Sequence, residues 1–535
     1  MPVVTDIGGH ARIVAPELAR RYRADGWWTD RTLGQVLADG LERGRAHEFV
    51  VHSATRPWKG TFADVGDMAR RAATGLQEHG VGPGTLVTFQ VPNWVEAAVT
   101  FYAASMLGAV VVPIVHFYGA REVEYILRQA APRVHVTAAR FGHNDYLANL
   151  AGIDHGADVV VVDEPSFADL LDHAPLGAPL RTDPSAPALV GYTSGTTSNP
   201  KGVVHSHRTI SAEINQLGAA QAPQDRPAIT GSPVGHATGM LSALLLPVDL
   251  GRPIHLLDVW DPAVVLRAIA EEGLAAGGGA TFFLLSLLDH PDFTPAHLEG
   301  MRYAGMGGSA IPLAVAQRAT DLGITVYRMY GSTEQPSITG CTFADPLEKR
   351  LATDGRPLPG NEIRLVDDDG KDVDPGQAGE ILSRGPDCFM GYTDAALTAA
   401  AFDGDGWYHT GDIAVADEDG YIAITDRKND VIIRGGENIS AAEVEDLLLR
   451  IPGVGEAAVV GAPDDRLGER ACAFIRVLPG VAAPDLAAVR ASLQSAGLTR
   501  QKWPEELIEI DEFPRTPSGK VQKFVLRDRL RSRRT

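Results

Sequence analysis

Cysteine is scarce in this sequence, and the three cysteines present lie far from one another. Cys341, Cys388 and Cys472 form no pair with the spacing of metal ligands, and an odd number does not build a disulfide framework. The composition therefore argues against a disulfide-stapled scaffold and against a cysteine-bound metal centre. Unpaired thiols suit a reducing compartment, so we expect a cytoplasmic protein.

The sequence also lacks the marks of secretion and of a membrane span. Its first residues, MPVVTDIGGHAR, do not place a basic stretch ahead of an apolar one, as a signal peptide does. Residues 97–115 carry no charge and approach the lower length limit of a membrane-spanning helix. Their small residues, followed by Gly108 and the run AVVVPIV, predict a packed helix and a buried strand instead. We therefore expect no transmembrane segment.

Positive charge is in deficit, with 48 lysines and arginines against 68 aspartates and glutamates and a net charge of −20. An acidic surface disfavours binding to nucleic acid and to anionic membranes, so we expect neither as a partner. Any site for an anionic ligand must then be locally basic or rich in backbone N–H groups. The 535 residues, 44% hydrophobic and 22% charged, have an ordinary globular composition and suggest about two to four domains.

The sequence contains no repeat of about 20–50 residues, and helical and extended segments alternate along it. β-Branched runs such as VTFQVP at 87–92 and EIRLVD at 362–367 alternate with helical stretches such as residues 62–79. This alternation predicts an α/β fold with largely parallel sheets. Near Asp426 a hairpin with an Asp-Gly turn is followed by an amphipathic helix and two strands. We predict a large N-terminal α/β domain of several subdomains at residues 1–425 and a small α+β domain at residues 426–535.

The strongest local motif is a run of hydroxyl residues between two apolar segments, YTSGTTSNPKG at 192–202. Gly195 lets the backbone turn tightly, and Lys201 supplies a positive charge. Backbone N–H groups, hydroxyls and one lysine together form a cradle for a polyphosphate. It is not the loop of P-loop nucleotide hydrolases, because Lys201 is followed by glycine rather than serine or threonine. The predicted phosphate-binding residues are Thr193, Ser194, Gly195, Thr196, Thr197 and Lys201.

Four further motifs carry polar or charged residues, and each alone is a weak signal. They are VYRMYGSTEQ at 326–335, GWYHTGD at 406–412, DRKNDVIIRGGENI at 426–439 and PRTPSGK at 514–520. The first combines an aromatic ring, a hydroxyl and a carboxylate, which can stack on a base, hold a phosphate and ligate Mg²⁺. In the second, Asp412 can accept two hydrogen bonds from a ribose diol. In the last, Gly519 beside Lys520 predicts an exposed loop.

In order and spacing, the five motifs resemble those of the ANL superfamily: acyl-CoA synthetases, adenylation domains of nonribosomal peptide synthetases, and luciferases. The resemblance extends from about residue 61 to residue 520, nearly the whole chain, and is strongest to medium-chain and cyclic or aromatic acyl-CoA ligases. It implies the ANL fold, in which the small C-terminal domain is mobile. It also implies that a carboxylate reacts with ATP to give an acyl-adenylate, which CoA then converts to a thioester.

The resemblance also assigns roles to residues of the nucleotide site. Tyr330 would stack on adenine, and Thr333 would contact the α-phosphate. Glu334 would bind Mg²⁺, with Thr193 as a second metal-binding residue. The remaining nucleotide-binding residues that the resemblance implies are Gly307, Gly308, Ser309 and Gly331 near the base, and Asp412 and Arg427 at the ribose.

In the family that the sequence resembles, catalysis also requires a lysine from the small domain. Lys520 would bridge the substrate carboxylate and the α-phosphate, so that it and Mg²⁺ reduce the repulsion between two anions. No general base is needed, because the attacking carboxylate is already ionised at neutral pH. Rotation about Asp426 would then replace Lys520 by the loop with Arg434, Gly435 and Gly436, which would line the tunnel for the CoA thiol.

The expected acyl pocket is uncharged. Residues 232–246, SPVGHATGMLSALLL, contain no lysine, arginine, aspartate or glutamate, which suits an apolar acid. His236 matches a family position at the mouth of the pocket and is included among the candidate catalytic residues. Amino-acid-activating relatives usually place an aspartate in this region, which here reads Gly235-His236-Ala237-Thr238, so an amino acid is disfavoured. The small residues Ala237, Gly239 and Gly307 suggest room for a ring or a medium chain.

We therefore expect an acid–CoA ligase for a medium-chain, cyclic or aromatic acid, with ATP, Mg²⁺ and CoA as cofactors. The sequence leaves two alternatives open. One is an adenylating enzyme that loads the thiol of a carrier protein, and the other is a luciferase-like oxygenase. A monomer and a homodimer are both compatible with the sequence.

Overall fold

The computed structural model describes residue 12 and residues 14–193, 200–308, 311–428, 430–434, 437–464, 468–496, 498, 500–515 and 521–533. The strands up to residue 257 are β1 Glu48–His52, β2 Trp58–Thr61, β3 Leu86–Gln90, β4 Val110–Pro113, β5 Val134–Thr137, β6 Arg140–Phe141, β7 Asn144–Asp145, β8 Asp158–Val161, β9 Pro187–Thr193, β10 Lys201–Ser206, β11 Ile229–Thr230 and β12 Ile254–Leu257. The later strands are β13 Tyr303–Met306, β14 Thr325–Tyr330, β15 Thr339–Gly340, β16 Arg356–Pro357, β17 Glu362–Val366, β18 Ala378–Arg384, β19 Gly391–Tyr392, β20 Tyr408–Ala416, β21 Ile422–Arg427, β22 Ile432–Arg434, β23 Glu437–Ile439, β24 Val454–Asp464, β25 Gly468–Val477 and β26 Glu506–Glu509.

Helices alternate with these strands. They are α1 Pro16–Ala24, α2 Leu33–Arg43, α3 Phe62–Glu78, α4 Val95–Met106, α5 Ala120–Ala130, α6 Tyr146–Leu150, α7 Pro165–Leu171, α8 His207–Ala219, α9 Ala237–Gly239, α10 Leu246–Leu250, α11 Pro262–Glu271, α12 Thr281–Leu288, α13 Leu313–Asp321, α14 Leu347–Ala352, α15 Ala395–Ala401, α16 Ala441–Leu448, α17 Leu486–Ser495 and α18 Lys523–Ser532. A π-helical segment, Met240–Leu245, joins α9 to α10.

A seven-stranded sheet in the order β19-β10-β9-β4-β3-β5-β8 forms the centre of the larger part of the chain. Neighbouring strands from β9 to β8 are parallel, whereas β10 and β19 run antiparallel to their neighbours. All five residues of β3 are buried, as expected of a parallel strand whose sheet is covered by helices on both faces. The predicted parallel pairing is therefore confirmed for the centre of this sheet.

The uncharged stretch at residues 97–115 forms helix α4 and strand β4, as its small residues predicted. All twelve residues of α4 are buried, and the helix packs against α2 and α3. Its alanines allow this close approach because they add little side-chain volume. Helix α3 begins with a capping box in which Thr61 and Asp64 satisfy each other's backbone N–H groups. In the described part of the chain, no helix combines the length and apolarity needed to cross a bilayer.

Outside the central sheet, pairing is more often antiparallel than the sequence predicted. The sheet β17-β18-β20-β21 is antiparallel throughout, and so is the ladder β23-β22-β25-β24. The reason is local: β20 and β21 are joined by a tight turn closed by the Gly420 N–H bond to the Asp417 carbonyl, and such turns only connect antiparallel strands.

The C-terminal part of the chain is a separate α+β unit in its packing. Two apolar clusters there contain only residues from Ile432 onward, built from β22 to β26 and α16 to α18. Among the described residues, no apolar cluster combines side chains from both sides of Asp426. This separation supports the boundary predicted between residues 425 and 426, which stays a prediction.

Candidate active site

The motif at 326–335 is strand β14 followed by a tight turn. Gly331 opens the turn, and a Cβ there would lie 2.0 Å from the Pro336 carbonyl oxygen, so only glycine fits. The Ser332 N–H donates to the Gln335 carbonyl at 3.0 Å, which closes the turn around Thr333 and Glu334. The turn therefore presents its hydroxyl and its carboxylate at fixed positions beyond the end of the strand.

The predicted adenine and ribose residues lie together. The Tyr330 hydroxyl, at the end of β14, donates to Asp412 Oδ2 at 2.6 Å, and the Asp412 side chain is buried in β20. Asp412 pairs in the ladder with Arg427 of β21, whose side chain lies outside the described residues. Tyr330 and Asp412 are 82 residues apart in the sequence, so this hydrogen bond joins the motif at 326–335 to the motif at 406–412.

Tyr392 connects Glu334 to β10, the strand that begins at the lysine of the predicted phosphate-binding motif. The Tyr392 hydroxyl donates to Glu334 Oε1 at 2.7 Å, and both side chains are buried. Lys201 begins β10, and its Nζ lies 5.5 Å from the centroid of the Tyr392 ring, within the range of a cation–π contact. Across the β9–β10 ladder, Lys201 faces Thr193. The predicted metal-binding residues Glu334 and Thr193 therefore lie on neighbouring elements linked by Tyr392 and Lys201.

Tyr392 is a residue that the sequence reasoning missed. Burial and the nearby Glu334 carboxylate raise its pKa well above the ordinary range, so the hydroxyl keeps its proton and donates to Glu334. Tyr408 packs in the same apolar cluster as Tyr392, and burial raises its pKa as well. The segment Gly391-Tyr392-Thr393 after β18 was the available signal in the sequence. The residues around Tyr392 do not indicate, however, that its hydroxyl contacts a residue 58 positions away.

His205 is a second residue that was missed. It lies in β10 behind the turn, and its Nε2 is 2.8 Å from the Thr333 carbonyl oxygen, while its Nδ1 is 3.2 Å from Thr209 Oγ1. Full burial lowers the pKa of His205 to about 4, so the imidazole is neutral at pH 7. A neutral ring with Nε2 protonated donates to Thr333 and accepts at Nδ1. His205 therefore fixes the backbone of the residue predicted to contact the α-phosphate.

The glycines predicted near the base are placed by close backbone approach. A Cβ on Gly307 would lie 2.8 Å from the Met329 carbonyl oxygen, one residue before Tyr330, and Gly308 has a φ of +77°. The small size of Gly307 also predicts that this residue leaves room in the acyl pocket. The structure corrects this, because the missing side chain of Gly307 would point at the backbone of β14 rather than into open space.

The segment expected to form the wall of the acyl pocket lies beside the turn that carries Thr333. A small apolar cavity beside Thr333 is lined in part by Gly191, Ala237, Met240 and Leu241, and none of the described residues that border it carries a charge. His236 caps the short helix α9, where its Nδ1 accepts from the Thr238 N–H at 3.4 Å. The uncharged wall predicted from residues 232–246 is thus adjacent to the turn.

Several predicted site residues lie outside the described residues, and one other, Arg434, contacts a residue of the C-terminal unit. Arg434 forms an ion pair with Glu505 of the C-terminal unit, with Nε 2.7 Å from Oε1, and its role at the tunnel for the CoA thiol stays a prediction. The predicted residues outside the described part of the chain are Ser194, Gly195, Thr196, Thr197, Ser309, Gly435, Gly436 and Lys520.

Comparison with known proteins places this arrangement in a family. The family model described as AMP-binding enzyme matches residues 42–393, and the model of the AMP-binding enzyme C-terminal domain matches residues 443–520. A medium-chain fatty-acid–CoA ligase of Escherichia coli is 34% identical, with 96% of this chain and 93% of that protein covered. A salicyl-AMP ligase / salicyl-S-ArCP synthetase of Mycobacterium tuberculosis is 32% identical, with 97% and 94% covered. The crystal structure of ATP-bound MatB from Rhodopseudomonas palustris superposes with a TM-score of 0.85 at 27% identity, covering 94% of this chain and all of that one.

Proposed function

Because this chain belongs to the AMP-binding enzyme family, we propose that it is an ATP-dependent acid–CoA ligase that works through an acyl-adenylate. A carboxylate and ATP give acyl-AMP and pyrophosphate, and acyl-AMP with CoA gives acyl-CoA and AMP. The observation that carries the proposal is the convergence of Tyr330, Thr333 and Glu334 with Asp412 and Lys201 around one turn. These groups match what a ribose, a phosphate chain and a metal ion require.

The first half-reaction needs positioning and charge neutralisation more than proton transfer. A carboxylate oxygen attacks the α-phosphorus of ATP in line and forms a new O–P bond. Pyrophosphate leaves with the electron pair of the broken P–O bond. We infer that Tyr330 and Asp412 hold the nucleoside and that Thr333 orients the α-phosphate. Lys201 and Lys520 would supply positive charge at the phosphates and at the attacking carboxylate, respectively.

The residues present fit a magnesium ion. Mg²⁺ prefers oxygen ligands and is usually held by one or two carboxylates together with substrate phosphates. Glu334 offers a buried carboxylate whose Oε1 is fixed by Tyr392, and with Thr193, which pairs with Lys201 across the ladder, it would hold a phosphate-bound cation. When bound, the ion neutralises phosphate charge. In this chain the role of Glu334 would be to hold it and the role of Tyr392 to orient Glu334.

The substrate class follows from the wall of the acyl site. Ala237, Met240 and Leu241 beside Thr333 provide apolar surface without a charge to bind an α-ammonium group. We therefore propose an apolar carboxylic acid, of medium chain length or with a ring. The fatty acid named for the Escherichia coli relative agrees with this class.

A second candidate is transfer to a carrier-protein thiol, because the mycobacterial relative is named as both a salicyl-AMP ligase and a salicyl-S-ArCP synthetase. The same adenylating site serves either acceptor. A cytoplasmic location also stays a prediction. It agrees with the three cysteines, all free and buried.

A panel of carboxylic acids tests the proposal. The purified enzyme is incubated with Mg²⁺, ATP and each acid, and pyrophosphate release is measured before CoA or a phosphopantetheinylated carrier protein is added. We expect pyrophosphate with medium-chain, cyclic or aromatic acids, followed by a CoA thioester. A thioester on the carrier alone would favour the second candidate, and no pyrophosphate with any acid would refute adenylation.

A further inference from the structure

Two buried carboxyl groups lie beneath the turn that carries Thr333 and Glu334. Glu213 of α8 is fully buried, and so is Asp387, which follows β18. Glu213 Oε1 accepts from the Ser337 hydroxyl at 2.6 Å, and Asp387 Oδ1 accepts from Gln335 Nε2 at 3.0 Å. Neither residue has a role in the ligation chemistry described above.

Among the residues that the structure describes, the other oxygen of each carboxyl has no hydrogen-bond donor when both groups are ionised. Glu213 Oε2 and Asp387 Oδ2 are buried and unpartnered, although the two side chains are close enough to hydrogen-bond to each other. One proton placed between them satisfies both oxygens, because the protonated carboxyl then donates to the ionised one. Like-charge carboxyls in contact away from water commonly share a proton in this way.

The electrostatics of the surroundings agree with a retained proton. Burial raises the pKa of Glu213, and Asp387 adds to this effect, while burial raises the pKa of Asp387 to about 7. The backbone N–H of Asp387 itself, the Gln335 side chain, the positive charge of Arg12 and the Asn361 side chain oppose the shift of Asp387. Cys388 beside it stays a neutral thiol, because burial raises its pKa to about 12. The carboxylate of Glu334 in the active site accepts its hydrogen bond from Tyr392 rather than from this pair.

The pair is connected to the turn through Gln335. Its amide nitrogen donates to Asp387, and its amide oxygen accepts from the Ser383 hydroxyl at 2.8 Å. Its backbone closes the turn by accepting from the Ser332 N–H. On the far side, Ser337 is tied to Glu213. The two carboxyl groups therefore hold the residues on either side of Pro336 by hydrogen bonds. The first of these residues, Gln335, directly follows Glu334.

We propose that Glu213 and Asp387 are a proton-sharing carboxyl pair that positions the Ser332–Gln335 turn, and with it Thr333 and Glu334, for reaction with ATP. The proposal rests on the adenylating function proposed above. Both are positioning residues, since neither would touch the substrate. Loss of the shared proton would place two negative charges side by side in a buried site and release the grip on Gln335 and Ser337.

Substitutions at Glu213 separate the hydrogen bond from the charge. Glu213→Gln keeps an acceptor for Ser337 and adds an N–H donor for Asp387 without needing a shared proton. Glu213→Ala removes both contacts. A third variant, Gly385→Ala, disrupts the same network from another side, because a Cβ there would lie 2.5 Å from Asp387 Oδ1 and 2.6 Å from Gln335 Nε2. Glu96→Gln is the control, a buried glutamate whose partner is Arg56.

The test measures ATP–pyrophosphate exchange and thermal unfolding from about pH 5 to about pH 9 on all variants. We expect kcat to fall at least tenfold in Glu213→Ala and Gly385→Ala, with Glu213→Gln restoring most of it and losing the decline of the wild type above about pH 7. Carboxyls with raised folded-state pKa values stabilise the fold less as the pH rises from their unfolded value of about 4 through the folded one. The Tm of Glu213→Gln relative to wild type should therefore increase with pH, and that of Glu96→Gln should not.

Infrared spectroscopy gives a readout that does not depend on activity. A carbonyl stretch of a buried protonated carboxyl should be present in the wild type at pH 7 and lost in the Glu213→Gln/Asp387→Asn double variant. An unchanged band, or equal kcat and pH profiles for Glu213→Ala, Glu213→Gln and wild type, would overturn the proposal. Absence of exchange in the wild type with every acid would instead refute the proposed function, and the infrared and Tm results would still decide on the shared proton.

Discussion

Replacing Tyr392 by phenylalanine removes one hydrogen bond and leaves its surroundings intact. The ring stays, and so does its contact with Lys201, since that contact uses the ring face. Only the hydroxyl that donates to Glu334 at 2.7 Å is lost. If Glu334 holds the metal ion as proposed, its carboxylate becomes free to rotate away from the phosphates, and Mg²⁺ should bind less well in the presence of ATP.

The size of the effect follows from the nature of the bond. A hydrogen bond to a charged group contributes about 1.5–3 kcal/mol. At about 1.4 kcal/mol for each factor of ten, its full expression in the transition state would lower kcat/KM for Mg·ATP about 10- to 150-fold. Some of this energy will appear as reduced stability instead, because the carboxylate is buried and loses a donor.

The assay is ATP–pyrophosphate exchange with Mg²⁺ varied at fixed ATP and acid. Tyr421→Phe is the matched control, because the buried Tyr421 also donates to a carboxylate, Asp345 Oδ1, at 2.7 Å. Both variants should lose stability, but only Tyr392→Phe should need more Mg²⁺ for half-maximal exchange. Equal Mg²⁺ dependence in the two variants would refute the role of Tyr392 in orienting Glu334.

Three further predictions address other parts of the site. Lys520→Ala should slow acyl-AMP formation about 10²–10³-fold and spare thioester formation from a supplied acyl-AMP, as separate half-reaction assays would show; equal slowing of both would mean that the lysine is structural or serves both steps. Tyr330→Phe, which removes the donor to Asp412, should raise KM for ATP about tenfold, the effect of about 1.4 kcal/mol, with little change in KM for the acid; the reverse pattern would place Tyr330 at the acyl group. Gly307→Ala should lower the Tm and raise KM for ATP without changing the chain-length profile of the acids, because its Cβ would meet the Met329 carbonyl; a profile shifted to shorter acids would return Gly307 to the acyl pocket.

The sequence predicted best those features that depend on neighbouring residues. The helix and strand in residues 97–115 follow from small and β-branched residues and a stop at Gly108, and both are present. The order of the five motifs was enough to predict the fold class and the family, which the comparisons confirm. A motif fixes local backbone geometry, so its residues keep their relation to one another wherever the motif lies.

Contacts between distant segments could not be predicted in the same way. Tyr392 and His205 look like ordinary core residues in the sequence, and their roles depend on which segments the sheet brings alongside the turn after β14. The same holds for Glu213, a glutamate in an amphipathic helix whose burial depends on the packing of α8 against α2, α10 and the strands β9 and β10. Gly307 was misread because a small residue suggests open space, whereas here it permits two backbones to touch.

The π-helical segment at Met240–Leu245 gives the enzyme a simple route to new substrates. A π-helical turn holds one residue more than an α-helical turn, so deletion of a single residue there can relax the segment to an ordinary helix. Because the extra residue of a π turn is accommodated locally, such a deletion can leave the flanking turns in place and change only which residues of the segment face the cavity. Met240 and Leu241 line the cavity beside Thr333, and they would be exchanged for their neighbours in one event. The sheets and the nucleotide-binding turn would stay as they are, so the range of acids could diverge by changes of length as well as by substitution.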